Sequence, residues 1–184
     1  LTLALIGALA LALPAAAEDL RLPRINFTVP FGEGGGTDTL IRAFAPSLQQ
    51  VMPGSPTMLI RNEPGGGGLP ATNRFVQTAS RDGGALMGLS SSIFIANVLG
   101  SPQIQFTLED FVPIFVAPLG PVIYVSPSTG ATGPGDIAGI GDTQLIFGGG
   151  RQDSADVLTV MQLDLLGLNL RTVWGMERGA SRIG

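Results

Sequence analysis

Four times along this chain an apolar run stops at a cluster of glycines or serines and a helical pattern begins. The junctions are V-P-F-G-E-G-G-G-T-D at Val29 to Asp38, R-N-E-P-G-G-G-G at Arg61 to Gly68, L-S-S-S at Leu89 to Ser92 and F-G-G-G-R-Q-D-S at Phe147 to Ser154. A strand that feeds directly into a helix can reach the next strand of its sheet only by crossing over, which makes neighbouring strands parallel. The recurrence therefore predicts an α/β fold. At such junctions the first backbone N–H groups of the helix have no partner, and that end carries about +0.5 charge. Backbone, hydroxyl and water can then hold a small anion.

The elements follow from the apolar spacing. Ile25 to Pro30 alternates as a strand and ends at Gly32 to Gly36. Thr37 is the expected N-cap of a helix whose face carries Leu40, Ile41, Phe44, Ala45, Leu48 and Val51, with Pro46 inside it. Met58 to Arg61 is a strand, followed by a helix through Phe75, Val76 and Ala79. Ala85 to Leu89 is a third strand, and Ser90 opens a segment containing Ile93, Ile95 and Val98. Phe111 to Val116 and Val122 to Ser126 read as strands passing between two lobes. Leu145 to Gly150 repeats the strand-to-glycine transition. Asp153 and Ser154 are N-cap candidates for a helix burying Val157, Leu158, Met161 and Leu165, Gly167 stops it, and Leu170 to Trp174 begins a strand. Trp174 is expected in the core.

Several chemistries are excluded by residue type. The 184 residues include no cysteine and no histidine, so disulfides, thiol nucleophiles, histidine bases and His/Cys metal sites are ruled out. Nucleic acid is a poor partner: net charge is -4, and the 10 basic residues are arginines scattered singly. A phosphate loop would need a lysine after its glycines, and Gly32, Gly34 and Gly36 are too closely spaced for a dinucleotide fingerprint. Hydrophobic content of 45% against 13% charged residues argues against disorder. No metal or organic cofactor is implied.

Leu1 to Leu13 is apolar but shorter than the roughly 17–25 residues that span a bilayer. It leads into P-A-A-A-E-D, with a small-residue cleavage pattern at Ala15 to Ala17. The expectation is a secretory signal peptide over residues 1–17, cut near Ala17-Glu18, and an exported, periplasmic protein. A first α/β lobe is expected over 18–124 and the start of a second over 125–184. The second lobe, with so few elements, reads as incomplete and the chain as a fragment.

The ordered set P-F-G-E-G-G-G-T-D-T-L-I-R (Pro30 to Arg42), N-E-P-G-G-G-G (Asn62 to Gly68), S-R-D-G-G-A-L-M-G (Ser80 to Gly88), F-T-L-E-D-F-V-P-I (Phe106 to Ile114) and L-L-G-L-N (Leu165 to Asn169) resembles the Bug-type extracytoplasmic solute-binding receptors of tripartite tricarboxylate transporters. The resemblance covers nearly all of the chain after the leader. It implies a two-lobed periplasmic-binding-protein-like architecture whose cleft captures a small carboxylate ligand for delivery to a membrane permease. The receptor would be a monomer and not an enzyme. Transferred to this chain, the ligand residues would be Phe31, Gly34, Gly35, Gly36, Thr37 and Asp38 from the first loop, Gly66 and Gly67 from the second, Ser90, Ser91 and Ser92 from the third, and Gly149 and Ser154 from the second lobe.

Two departures from the family pattern stand out. Asp156 occupies a position where relatives commonly have histidine, and Gly32-Glu33 precedes the glycine run where Pro or Ala is common. Asp38 has two readings at this stage: a ligand contact, or a first-turn acid stabilising its helix and pairing with Arg42 at i, i+4. Two other functions stay open. One is an exported enzyme using carboxylates such as Glu109-Asp110 or Asp153-Asp156, and the other a nucleotide-binding α/β domain.

Overall fold

The computed structural model describes residues 22–118, 124–140 and 143–176. The leader, its cleavage point and the first two residues of the strand expected from Val122 lie outside these. The ordered elements are β1 (Arg24–Val29), α1 (Gly36–Val51), β2 (Thr57–Asn62), α2 (Leu69–Thr78), β3 (Ala85–Met87), α3 (Ser91–Val98), β4 (Leu145–Gly149), α4 (Asp156–Leu165) and β5 (Leu170–Trp174). β1 is the middle strand of a three-stranded parallel sheet of order β2-β1-β3, with Arg24 opposite Thr57 and Asn26 opposite Ala85. β4 and β5 form a second parallel pair, with Leu145 opposite Leu170. The strand–loop–helix recurrence has thus produced parallel sheets.

β1 takes the central place because Ile25, Phe27 and Val29 are buried on one of its faces. Each such side chain contributes about 1.5–3 kcal/mol on burial. Ile41 of α1 packs against Phe27 and Val29, with Leu48, Ile60 and Leu86 around them. Leu69, Ile93, Ala96 and Phe106 form a second cluster, edged by Val76, Ile104 and Phe111. Phe31 touches both clusters, which ties the first loop to α2 and α3. Around β4 and β5 a third cluster gathers Ile140, Leu163 and Leu168. Pro46 lies within α1 on its exposed side, together with Arg42 one turn earlier. The carbonyl that loses its hydrogen bond there faces water, and so the proline is tolerated.

The structure departs from the sequence expectations in several places. Phe111 to Val116 is not a strand: Val112, Ile114 and Val116 are exposed, and Phe115 stacks on Phe44 with ring centroids 5.0 Å apart. Pro113 has no N–H to offer a ladder, and strand propensity expresses itself only beside a partner. Tyr124 to Ser126 is likewise outside any strand. α1 begins at Gly36 with Gly35 as N-cap, two residues ahead of the expected Thr37 cap. In α4, Leu158, Met161 and Leu165 are exposed while Leu163 is buried. Apolar residues on that helix are interleaved around its axis with Asp156, Thr159, Gln162 and Asp164, so its spacing did not select one face. Gly167 does end it: φ is +71° and its N–H reaches the Asp164 carbonyl.

Candidate functional site

The four junctions meet. Gly68 is buried with φ +88°, and a Cβ there would stand 3.1 Å from the Pro30 carbonyl oxygen and 3.2 Å from the Phe31 ring. Only glycine allows the second loop to close so tightly on the first. Phe31 and Leu89 both pack on the cluster that contains Ile93 of α3, which adds the third junction. The fourth reaches the others through two contacts. The Ala155 N–H donates to Ser92 Oγ at 3.4 Å, and Arg151 Nη1 donates to the Gly66 carbonyl at 3.2 Å.

Within the first loop, Asp38 is the organiser. It is only 2% exposed, and its carboxylate accepts from Gly34 N–H at 2.8 Å, Asn62 Nδ2 at 2.8 Å and Arg42 Nε at 3.0 Å. Arg42 Nη2 also donates to Asn62 Oδ1, and Asn62 Nδ2 to the Phe31 carbonyl. The Arg42 hydrogen bond above all, with the Gly34 and Asn62 donors, holds the Asp38 carboxyl at about 2. Asp38 in turn raises the Arg42 guanidinium above its ordinary value. Of the two readings of Asp38, the geometry therefore favours an internal role. Its carboxylate draws the Gly34 N–H inward, and the Gly35 N–H bonds to the Gly32 carbonyl at 3.2 Å. The N–H groups left at this end belong to the first turn of α1, at Gly36, Thr37 and Asp38.

The remaining expected residues fall as follows. Gly66 and Gly67 are exposed at the second loop. Ser90 is the N-cap of α3, and its Oγ is buried with no hydrogen-bond partner among the described residues. A buried hydroxyl without a partner is uncommon in proteins, and here it stands at a helix N-terminus. Ser91 is exposed and Ser92 is buried. Ser154 is buried; its Oγ donates to the Arg151 carbonyl at 2.8 Å and accepts from the Asp156 N–H at 3.3 Å. Gly149 lies buried beneath the Trp174 ring, so Trp174 is a half-buried cover for the end of β4.

Asp156 repeats in the second unit what Asp38 does in the first: its Oδ2 accepts the Gly150 N–H at 2.8 Å. It is turned to the loop backbone, consistent with a first-turn acid. Two of the other carboxylates considered for acid–base work also have local partners. Asp110 accepts from Thr107 N–H at 2.8 Å, and Asp153 is paired with Arg151. Among the described residues no cluster of acidic, His or Cys side chains is placed to hold a metal ion.

Asn62, Arg151 and Gln103 were not among the expected site residues. Asn62 opens the N-E-P-G-G-G-G motif, and no local spacing ties it to Asp38. An arginine two residues before an aspartate, as in R-Q-D, was the available cue for Arg151.

The junctions offer unpaired N–H groups at the first turn of α1 and an unpartnered hydroxyl at the start of α3, while the neighbouring carboxylates Asp38, Asp153 and Asp156 are already bonded. Such a set can hold an anionic or polar group without a dedicated cation. Over 123 residues the chain is 34% identical to Protein BugT of Bordetella pertussis. The chain is thus similar in sequence to a Bug protein. The match takes in 66% of this chain and 37% of the length of BugT, so the chain spans well under half of that relative. No protein-family model matches the chain. The Bug relationship and the parallel sheets agree on a periplasmic-binding-protein-like α/β fold.

Proposed function

We propose that this chain is part of an exported solute-binding receptor that captures a small carboxylate between two α/β lobes and passes it to a membrane permease. The lobes would divide near residue 124, and the protein would act as a periplasmic monomer without chemical turnover. The observation that carries this reading is the contact among four glycine- or serine-rich junctions, each leading into a helix N-terminus. Free N–H groups of Gly36 and Thr37 and the Ser90 hydroxyl would hold the carboxylate. Phe31, Gly66, Gly67, Ser91 and Ser92 would shape the surrounding wall. Gly149 and Ser154 would approach from the second lobe through the loop they anchor. The relationship to BugT supports a receptor over the enzyme and nucleotide-binding readings.

A thermal-shift panel of C4 to C6 dicarboxylates, tricarboxylates, aromatic carboxylates and acidic amino acids, with NAD and ATP as controls, tests the proposal. A carboxylate at ten times its dissociation constant should add about 1.4 kcal/mol, which for a chain of this length is roughly 3–6 °C. A response confined to NAD or ATP would refute it.

A further inference from the structure

We propose that Arg151 is a clasp that holds the β4–β5 unit against the β1–β3 unit in the absence of ligand. Its guanidinium is used from two sides. Nε and Nη2 form a two-pronged fork with the Asp153 carboxylate, at 2.7 and 2.5 Å. Nη1 faces the other unit and donates to the Gly66 carbonyl at 3.2 Å and to Gln103 Oε1 at 3.0 Å. The side-chain stem lies against Gly67, with Cδ 3.0 Å from where a Cβ would stand. Four of the five donors are thereby occupied, by one carboxylate of the arginine's own loop and two oxygens some fifty and eighty-five positions away in sequence.

The division of labour follows from guanidinium geometry. A planar fork matched to a carboxylate fixes the orientation of the group, so its remaining edge points in one direction. Asp153 sets that direction toward Gly66 and Gln103. Arg151 in turn holds the Asp153 carboxyl at about 2, so the fork stays ionised at any ordinary pH. The clasp lies at the mouth of the second glycine loop. A ligand entering there meets a site already closed by Arg151 and adds to that closure, or must first break the two cross-unit bonds. The inference rests on the two-unit arrangement and not on the identity of the ligand.

The full chain contains no cysteine, so spin labels at Q50C in α1 and Q162C in α4, both exposed, report the separation of the units. In the ligand-free protein the expected distance distribution is a single short population. In R151A a longer, broader population should appear, with the closed-to-open ratio falling roughly tenfold. R151K keeps the positive charge but cannot form the fork and the cross-unit bonds together, and it should shift the same way by less. Distributions for R151A and R151K superimposable on the parent would overturn the clasp. The carboxylate panel is measured separately: a protein that binds no carboxylate can still open in R151A, and one that binds can still fail to.

Discussion

Asp38→Ala is expected to remove carboxylate binding while leaving the β1–β3 sheet folded. The carboxylate is the common acceptor for Gly34 N–H, Arg42 and Asn62, and through Asn62 it fixes the Phe31 carbonyl. Without it three donors lose their acceptor in a nearly sealed position, and the glycine loop has no reason to keep its shape. The first turn of α1 would then no longer present Gly36 and Thr37 toward the other three junctions. The core side chains Ile25, Phe27 and Val29 make no hydrogen bond to Asp38, so the sheet should survive. Asp38→Asn should not rescue: an amide keeps one acceptor and turns two N–H groups into a ring of donors. Titration calorimetry with the best carboxylate, beside far-ultraviolet circular dichroism, separates the outcomes. Parent-like affinity in Asp38→Asn would mean the loop holds its shape without an ionised acceptor.

The same residue gives the protein an acid-sensitive component. Its folded-state carboxyl, at about 2, lies below the ordinary aspartate value of about 3.9. Stability from the ionised form is therefore present above pH ~4 and is lost as pH falls toward 2. Asp153, held at about 2 by Arg151, acts in the same direction and window. Melting temperature against pH should fall less steeply through that window in Asp38→Asn than in the parent.

Much of the fold was legible in the sequence because the deciding information was local. Alternation in Ile25 to Pro30, the triple glycine and the i, i+3, i+4 spacing from Ile41 to Leu48 each reflect a single element, and β5 falls on Leu170–Trp174 as expected. Pairing of Asp38 with Arg42 was also legible, since i, i+4 spacing on a helix brings the side chains together whatever the tertiary fold. What failed needed information from elsewhere in the chain. Phe111 to Val116 has strand composition, yet a strand exists only where another strand lies beside it. The buried face of α4 could not be read because apolar and polar residues alternate around it without one clear stripe. At the site, glycines and serines marked the loops, but not which atoms hold them together. Asn62 works through a contact across 24 positions and Arg151 through contacts across 48 and 85. No spacing rule reaches that far.

Gly149→Val is expected to destabilise the β4–β5 unit by about 3 kcal/mol, roughly 6–12 °C of melting temperature in a chain of this size. Gly149 pairs with Trp174 in the parallel register, and the indole folds across it. A Cβ at Gly149 would stand 2.6 Å from Trp174 Cζ3 and 2.7 Å from Cε3, and 3.3 Å from the Phe147 ring. The cause is thus the ring and not the backbone, because Gly149 does not have a positive φ. That distinction makes a sharper test than the single variant. Gly149→Ala in the parent should cost about 1–3 kcal/mol through overpacking. In a Trp174→Ala background the same change should become stabilising, by about 0.4–1 kcal/mol, since only the entropy of the unfolded glycine is then at issue. An equal cost in both backgrounds would show that the backbone at the end of β4 requires glycine for itself. A change of sign would show that the residue next to the Gly150–Ser154 loop is kept small so that Trp174 can lie flat over the strand. The end of β4, and with it the loop carrying Arg151, is then positioned by an aromatic ring packed on a bare backbone.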